Sequence, residues 1–412
     1  MGTTVVPCDA DTAVRSASPT IARILDRALE GRELTREEGL TLAEMGPESL
    51  PALTAMADEI RRHRVGDIIT YVVNRNINFT NICIIGCKFC AFSTGPNAAD
   101  AYDLSFDEIA RRAAEAWERG ATEVCVQGGL PRELEGTHYR DILRAVKRAT
   151  PQMHVHAFSP MEVVYGVEKT GMPLADYLGM LKAEGLGSLP GTAAEILDDD
   201  VRQLLSRKKV TVKQWVDVIT TAHRLGIPTT STMMYGHVEQ PVHWINQLCL
   251  LRDIQKDTGG FTEFVPLGFV HFNTDLFQQG KSRPGPTVEE HLKVHALARL
   301  MLQGVIDNLQ VSWVKLGRDL SQRCLQAGAN DYSGTLMEEN ISRLAGATAG
   351  QYLPPGEFHP RIRELGRIPA ERSTTYKLLK IFPREASPSP DPSPAPGTLW
   401  VGYPGRGIGG GH

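Results

Sequence analysis

Three cysteines, Cys83, Cys87 and Cys90, stand within eight residues in the run N-I-C-I-I-G-C-K-F-C-A-F. Thiolates this close can gather around one soft metal centre. Zinc normally takes four protein ligands, and the next candidates do not fit: Cys125 falls inside a strand and His138 at a helix start. A [4Fe–4S] cluster is also usually held by four cysteines. A C-x3-C-x2-C triplet therefore leaves one iron without a protein ligand. An iron with an open corner is a site for chemistry.

Other elements must position that loop. Eight runs read as strands: I-I-T-Y-V-V-N-R-N-I-N, T-E-V-C-V-Q, M-H-V-H-A-F, L-G-S-L, P-T-T-S-T-M-M-Y, F-T-E-F-V-P, L-Q-V-S and A-N-D-Y. The stretches between them are amphipathic, with Tyr139, Ile142, Leu143 and Val146 on one helix face and Trp215, Val218, Ile219 and Ala222 on another. Ser or Thr followed three residues later by Glu marks helix starts at Thr35, Ser105, Thr192, Thr287 and Thr335. The expected fold is α/β, a (β/α)8 TIM-type barrel, in which the residues after each strand face one common mouth. A doubly wound open sheet competes, but no glycine-rich phosphate loop follows the first strand. We divide the chain into an N-terminal helical extension (1–66), the barrel with its closing segment (67–383) and a tail (384–412). The tail is rich in Pro, Ser and Gly and is expected to be disordered.

Composition narrows the function. Of 412 residues, 42% are hydrophobic and 22% charged, as in a soluble globular protein. A formal net charge of -4 offers no surface for a polyanion, so nucleic acid is not expected as a partner. No apolar run suits a membrane span, and the first residues carry no signal-peptide pattern. The seven cysteines are odd in number and unevenly spread, which suits a reducing cytoplasm better than a disulfide framework.

The cysteine spacing resembles that of the radical S-adenosylmethionine superfamily. The resemblance implies a [4Fe–4S] cluster whose open iron chelates the amino and carboxylate groups of S-adenosylmethionine. One electron then breaks the sulfonium bond and yields a 5′-deoxyadenosyl radical. It further implies that Phe89 lies against the adenine. V-Q-G-G-L, with Gln127, Gly128 and Gly129, stands where the superfamily has a Gly-Gly-Glu-like motif whose carbonyls receive the amino group; here no Glu follows. Glu195 carries two readings, as the third residue of a helix capped by Thr192 or as a contact to the cofactor ribose.

Longer motifs run in one order: H-A-F-S-P-M-E-V (156–163), L-P-G-T-A-A-E-I-L-D-D-D-V-R (189–202), G-G-F-T-E-F-V-P-L (259–267), Q-V-S-W-V-K-L-G (310–317), A-G-A-N-D-Y-S-G-T-L-M-E-E-N-I-S (327–342) and P-A-E-R-S-T-T-Y (369–376). Together they resemble the second subunit of deazaflavin (FO) synthase, the 5-amino-6-(D-ribitylamino)uracil–L-tyrosine 4-hydroxyphenyl transferases, over roughly residues 20 to 380. The resemblance implies hydrogen removal from the amino group of L-tyrosine and scission of its Cα–Cβ bond. The 4-hydroxybenzyl fragment then adds to the uracil carbon bearing the amino group, with release of 2-iminoacetate. It also implies a one-electron reductant of flavodoxin or ferredoxin type and, as functional partner, the ring-closing first subunit. A fused form carrying both halves would need a second cysteine triplet. The menaquinone-pathway radical enzymes share much of this pattern; M-E after H-A-F-S-P and R-S-T-T-Y favour the transferases. A non-catalytic metal-binding scaffold is the alternative from another class.

Strand-end residues are the substrate candidates: His156, Ser159, Tyr235, His237, His271, Asn330 and Asp331. Met233 and Met234 are assigned to packing, and Cys125, Cys249 and Cys324 to the core.

Overall fold

Capping chemistry sets where many of the helices begin. In the computed structural model, which describes residues 10–383, helices Ala10–Arg15, Pro19–Leu29, Arg36–Glu44 and Leu50–Val65 precede the first strand. The Thr35 hydroxyl accepts from the Glu38 N–H at 3.2 Å, and Glu38 accepts from the Thr35 N–H at 2.9 Å. Thr287 and Glu290 repeat this reciprocal pair, and Ser105 accepts from the Glu108 N–H. Two further boxes, Ser159–Glu162 and Thr211–Gln214, were not among the expected ones.

Two expected helix starts are not helical. Thr192 and Glu195 lie in a turn, with Glu195 at φ 42°, so the capping reading of Glu195 is corrected. Thr335 follows a strand instead. Its hydroxyl donates to the Asn74 carbonyl at 2.7 Å, while Glu338 pairs with Arg75 at 3.0 Å and Arg112 at 3.2 Å.

The strands are β1 (Ile68–Val72), β2 (Asn74–Asn78), β3 (Glu123–Gln127), β4 (His154–Ala157), β5 (Leu186–Ser188), β6 (Thr229–Tyr235), β7 (Phe261–Gly268), β8 (Asp331–Gly334), β9 (Ile368–Arg372) and β10 (Leu378–Ile381). β1 and β2 are one run bent at Val73. β2, β3, β4 and β5 pair in parallel, placing Asn74 beside Glu123 and Cys125 beside His156. Leu189 bridges to Thr229, and β6 pairs with β7. Phe264 bridges to Leu309, Gln310 bridges to Asp331, and β8 pairs with β1. The pairings return to the run they left, as an eight-stave barrel requires. The expected L-Q-V-S strand contributes only those bridges.

β9 lies on the other flank of β1, with Arg372 opposite Val72, and β10 folds back against it. R-S-T-T-Y is thus a strand end and the turn after it. One of the three thiols assigned to the core is corrected: Cys324 is buried and Cys249, beside Arg252, is partly buried and packs on the core, but Cys125 lines an internal cavity. Among the described residues no helix is long and apolar enough to cross a membrane. The expected disordered tail falls outside the described residues.

Candidate active site

The loop after β2 is clamped from several sides by backbone hydrogen bonds. The Gly129 N–H donates to Thr80 O at 2.8 Å, Ile84 N–H to Leu130 O at 3.0 Å, and Lys88 N–H to Leu205 O at 3.0 Å. Leu276 N–H donates to the Lys88 carbonyl at 2.8 Å, so the segment after β7 also holds the loop. Glycine is required at 129: a β-carbon there would stand 2.2 Å from the Ile82 carbonyl oxygen. At 128 it would stand 2.5 Å from the Phe79 ring. The G-G pair therefore lets the end of β3 press against the cysteine loop.

Cys83, Cys87 and Cys90 are free thiols, partly exposed, and Cys87 Sγ donates to Ser206 Oγ at 3.3 Å. Among the described residues no three His, Cys, Asp or Glu side chains converge on one point as a single ion requires. Three thiols on one clamped loop suit a cluster, whose irons each take a different ligand. Phe89 and Cys90 face the cavity beside Glu195. The Lys209 ammonium lies 4.7 Å from the Phe89 ring centre and forms an ion pair with Glu195. Burial opposes ionisation of Glu195, but Lys209 more than offsets it and holds the carboxyl below its usual range. Gln127 donates to the Thr192 hydroxyl at 2.6 Å, tying β3 to the same turn.

No Glu follows the glycine pair in sequence, but a carboxylate from the helix after β4 reaches it. Glu162 accepts from the Gly128 N–H at 3.1 Å, and from the N–H and hydroxyl of Ser159 at 2.7 and 2.6 Å. Burial pushes its carboxyl up to about 7 against those hydrogen bonds. Ser159 is thus a helix cap, not a wall of the cavity. Glu162→Ala leaves the two buried Ser159 donors and the partly buried Gly128 N–H unpaired, at about 1–3 kcal/mol for each buried one. We expect S-adenosylmethionine affinity to fall at least about tenfold, read by equilibrium binding to reconstituted protein. Unchanged affinity would remove Glu162 from this role.

The loop opens on a cavity of about 310 Å3 inside the barrel. Its walls follow the period-two alternation of strands: Glu123, Cys125 and Gln127 on β3, Thr230, Thr232 and Met234 on β6, Glu263, Val265 and Leu267 on β7. The strand starts form a polar floor. There Arg372 bonds Asp331 through Nε at 2.5 Å and Nη2 at 3.0 Å, and lies 3.5 Å from Glu263. Gln310 donates to Glu263 at 2.9 Å, the Tyr376 hydroxyl donates to the same carboxylate, and Asn74 donates to Glu123 at 2.9 Å. Nearer the cysteines, Lys315 lines the wall; burial draws its ammonium below the usual range.

Of the seven substrate candidates, only His156 faces the cavity. Its Nδ1 pairs with Ser188 Oγ at 2.7 Å, and burial keeps the ring neutral by lowering its pKa to about 4. The other six do not line it: their polar atoms are bonded elsewhere or they lie off the wall. The Tyr235 hydroxyl bonds His291 at 2.6 Å, and His237 bonds the Met234 carbonyl at 2.9 Å. Asn330 accepts from Arg299 and from Leu309, and Asp331 holds Arg372 and Thr70. His271 packs on Phe272 and Phe277. Met233 is buried as expected, whereas Met234 lines the cavity.

The chain is similar to known proteins. Residues 77–247 match the radical SAM superfamily, and residues 258–385 match the CofH/MqnC C-terminal region. The chain is 51% identical over 352 residues to the 5-amino-6-(D-ribitylamino)uracil–L-tyrosine 4-hydroxyphenyl transferase of Methanocaldococcus jannaschii, covering 85% of this chain and 98% of that one. It is 54% identical over 344 residues to the FO synthase of Mycobacterium leprae, covering 84% of this chain. The chain spans only 40% of the length of that relative. In fold it resembles crystalline methylornithine synthase, with a TM-score of 0.66 at 19% identity, over 84% of this chain and 97% of that one.

Proposed function

We propose a reaction from the premise that this chain belongs to the radical S-adenosylmethionine enzymes of the 5-amino-6-(D-ribitylamino)uracil–L-tyrosine 4-hydroxyphenyl transferase family: it moves the 4-hydroxybenzyl group of L-tyrosine to 5-amino-6-(D-ribitylamino)uracil. 2-Iminoacetate, methionine and 5′-deoxyadenosine are released. What carries the reading is the clamped cysteine loop opening on a mostly apolar-walled chamber, in a chain with this kinship.

Cys83, Cys87 and Cys90 would hold the [4Fe–4S] cluster. The Gly128–Gly129 backbone would receive the amino group of S-adenosylmethionine, and Phe89 its adenine. When bound, the two cofactors supply a 5′-deoxyadenosyl radical. The chain's own work is to orient and to exclude. A primary carbon radical attacks nearly any C–H bond, so substrate must be fixed and water kept out. Val265, Leu267, Phe269 and Met234 make that side of the chamber apolar, while the glycine pair keeps the loop pressed to the barrel. We place the enzyme in the cytoplasm, with a flavodoxin- or ferredoxin-type electron donor and a separate ring-closing radical enzyme that takes its product.

The test is product analysis by mass spectrometry after anaerobic reconstitution, with S-adenosylmethionine, reductant, tyrosine and the ribitylaminouracil supplied. A hydroxybenzyl adduct and 2-iminoacetate are expected. S-adenosylmethionine turnover without tyrosine cleavage would overturn the transferase assignment and leave the superfamily membership standing.

A further inference from the structure

The two ends of the chamber differ in chemistry. At the cysteine end the wall carries Phe89, the Glu195 carboxylate that Lys209 pairs, and Lys315 with Glu339 near it. At the floor it carries two carboxylates, Glu123 and Glu263, with a neutral imidazole, His156, and the hydroxyl of Thr374. Among the described residues the cation at that end is Arg372, and Asp331 and Glu263 already take its guanidinium. The floor therefore repels a carboxylate. It suits a neutral group that donates several hydrogen bonds.

One floor group is left without a partner. Thr374 is 6% exposed and lines the cavity, yet its hydroxyl makes no hydrogen bond to protein. It lies near enough to Glu123 to help hold that carboxyl down, without the geometry of a bond. Buried hydroxyls are seldom left so. His156 likewise spends only Nδ1 on Ser188. These groups come from β3, β4 and the turn after β9, so their hydrogen-bonding capacity is spread across the floor. A phenol, with one hydroxyl, would use little of it; a polyol would use several positions at once.

We infer that the floor is a polyol subsite, holding the hydroxyl-bearing ribityl chain of the aminouracil so that its pyrimidine ring lies toward the cysteine loop. This rests on the transferase reading above. Tyrosine, whose carboxylate the floor disfavours, then occupies the wall nearer Lys315.

The experiment compares kcat/KM for 5-amino-6-(D-ribitylamino)uracil with that for 5-amino-6-(methylamino)uracil, using the full reconstituted chain. In wild type the ribityl compound is preferred. Thr374→Val and Glu123→Gln are expected to lower that preference about tenfold, the loss of one buried hydrogen bond to a substrate hydroxyl. Thr374→Ser keeps the hydroxyl and retains the wild-type ratio. Calorimetric binding of both uracils gives the same ratio where turnover of the truncated one is too slow. Variants that keep the ribityl preference, or that change discrimination of tyrosine from phenylalanine instead, overturn the inference. A wild-type enzyme that forms no adduct with either uracil overturns the transferase reading itself.

Discussion

Replacing any one of Cys83, Cys87 or Cys90 with Ala is expected to abolish 5′-deoxyadenosine formation, with loss of at least about three orders of magnitude, some 4 kcal/mol in barrier terms. The size of the effect follows from geometry. The loop is fixed by backbone hydrogen bonds to Gly129 and Leu130 just after β3, to the helix Asp199–Leu205 and to the segment at Leu276, so it cannot shift to bring in another donor. The remaining described thiols do not serve: Cys324 is buried in a helix, Cys249 sits on an outer helix, and Cys125 points into the chamber from mid-β3. Two measurements separate ligand loss from misfolding. Iron content and visible absorption of the reconstituted variant should fall, while far-ultraviolet circular dichroism stays that of wild type. A variant with full iron and full turnover would show that the deleted thiol is not a ligand.

The loop was legible because its chemistry is local: three thiols, an aromatic and their spacing lie within eight residues. The barrel was legible because strand-like and amphipathic runs alternate, even where a strand shrinks to bridges at Leu309 and Gln310. The chamber walls are legible in the sequence from strand alternation rather than from strand ends. Strand-end position points to Tyr235 and His237. Alternation was the better signal, because neighbours on a strand face opposite ways. Met234 faces in while Tyr235 turns out to His291. The same period places Glu123 and Glu263 inward, and a Glu within an apolar strand run such as F-T-E-F-V-P marks a buried charge that needs a partner. What no local pattern reveals is the partner. Arg372 meets Asp331 only through the pairing of β9 and β8 on opposite flanks of β1, and Glu162 reaches Gly128 only through the pairing of β3 with β4.

That floor carries the second large expectation. Arg372 is buried, its guanidinium shared between Asp331 and Glu263, so Arg372→Met strands two carboxylates in the interior. Breaking a buried pair by removing one partner costs about 3–5 kcal/mol, or roughly 4–6 °C in melting temperature for a domain of this size. The pH dependence gives a sharper test than the magnitude. Burial pushes the Glu263 carboxyl up to about 7, with Arg372 pulling the other way. A carboxyl raised above its unfolded value favours folding fully below that value, near 4.3, and loses the contribution as pH rises through 7. Removing Arg372 removes the restraint, so the loss deepens and extends upward in pH. The melting-temperature gap between wild type and Arg372→Met is therefore expected to be wider at pH 8 than at pH 5. Arg372→Lys, which returns a charge without the two-point fit to Asp331, should fall between the two proteins. A gap independent of pH would mean that the variant suffers from lost packing around the long side chain. The charge balance of the floor would then have no part in holding β9 against the barrel.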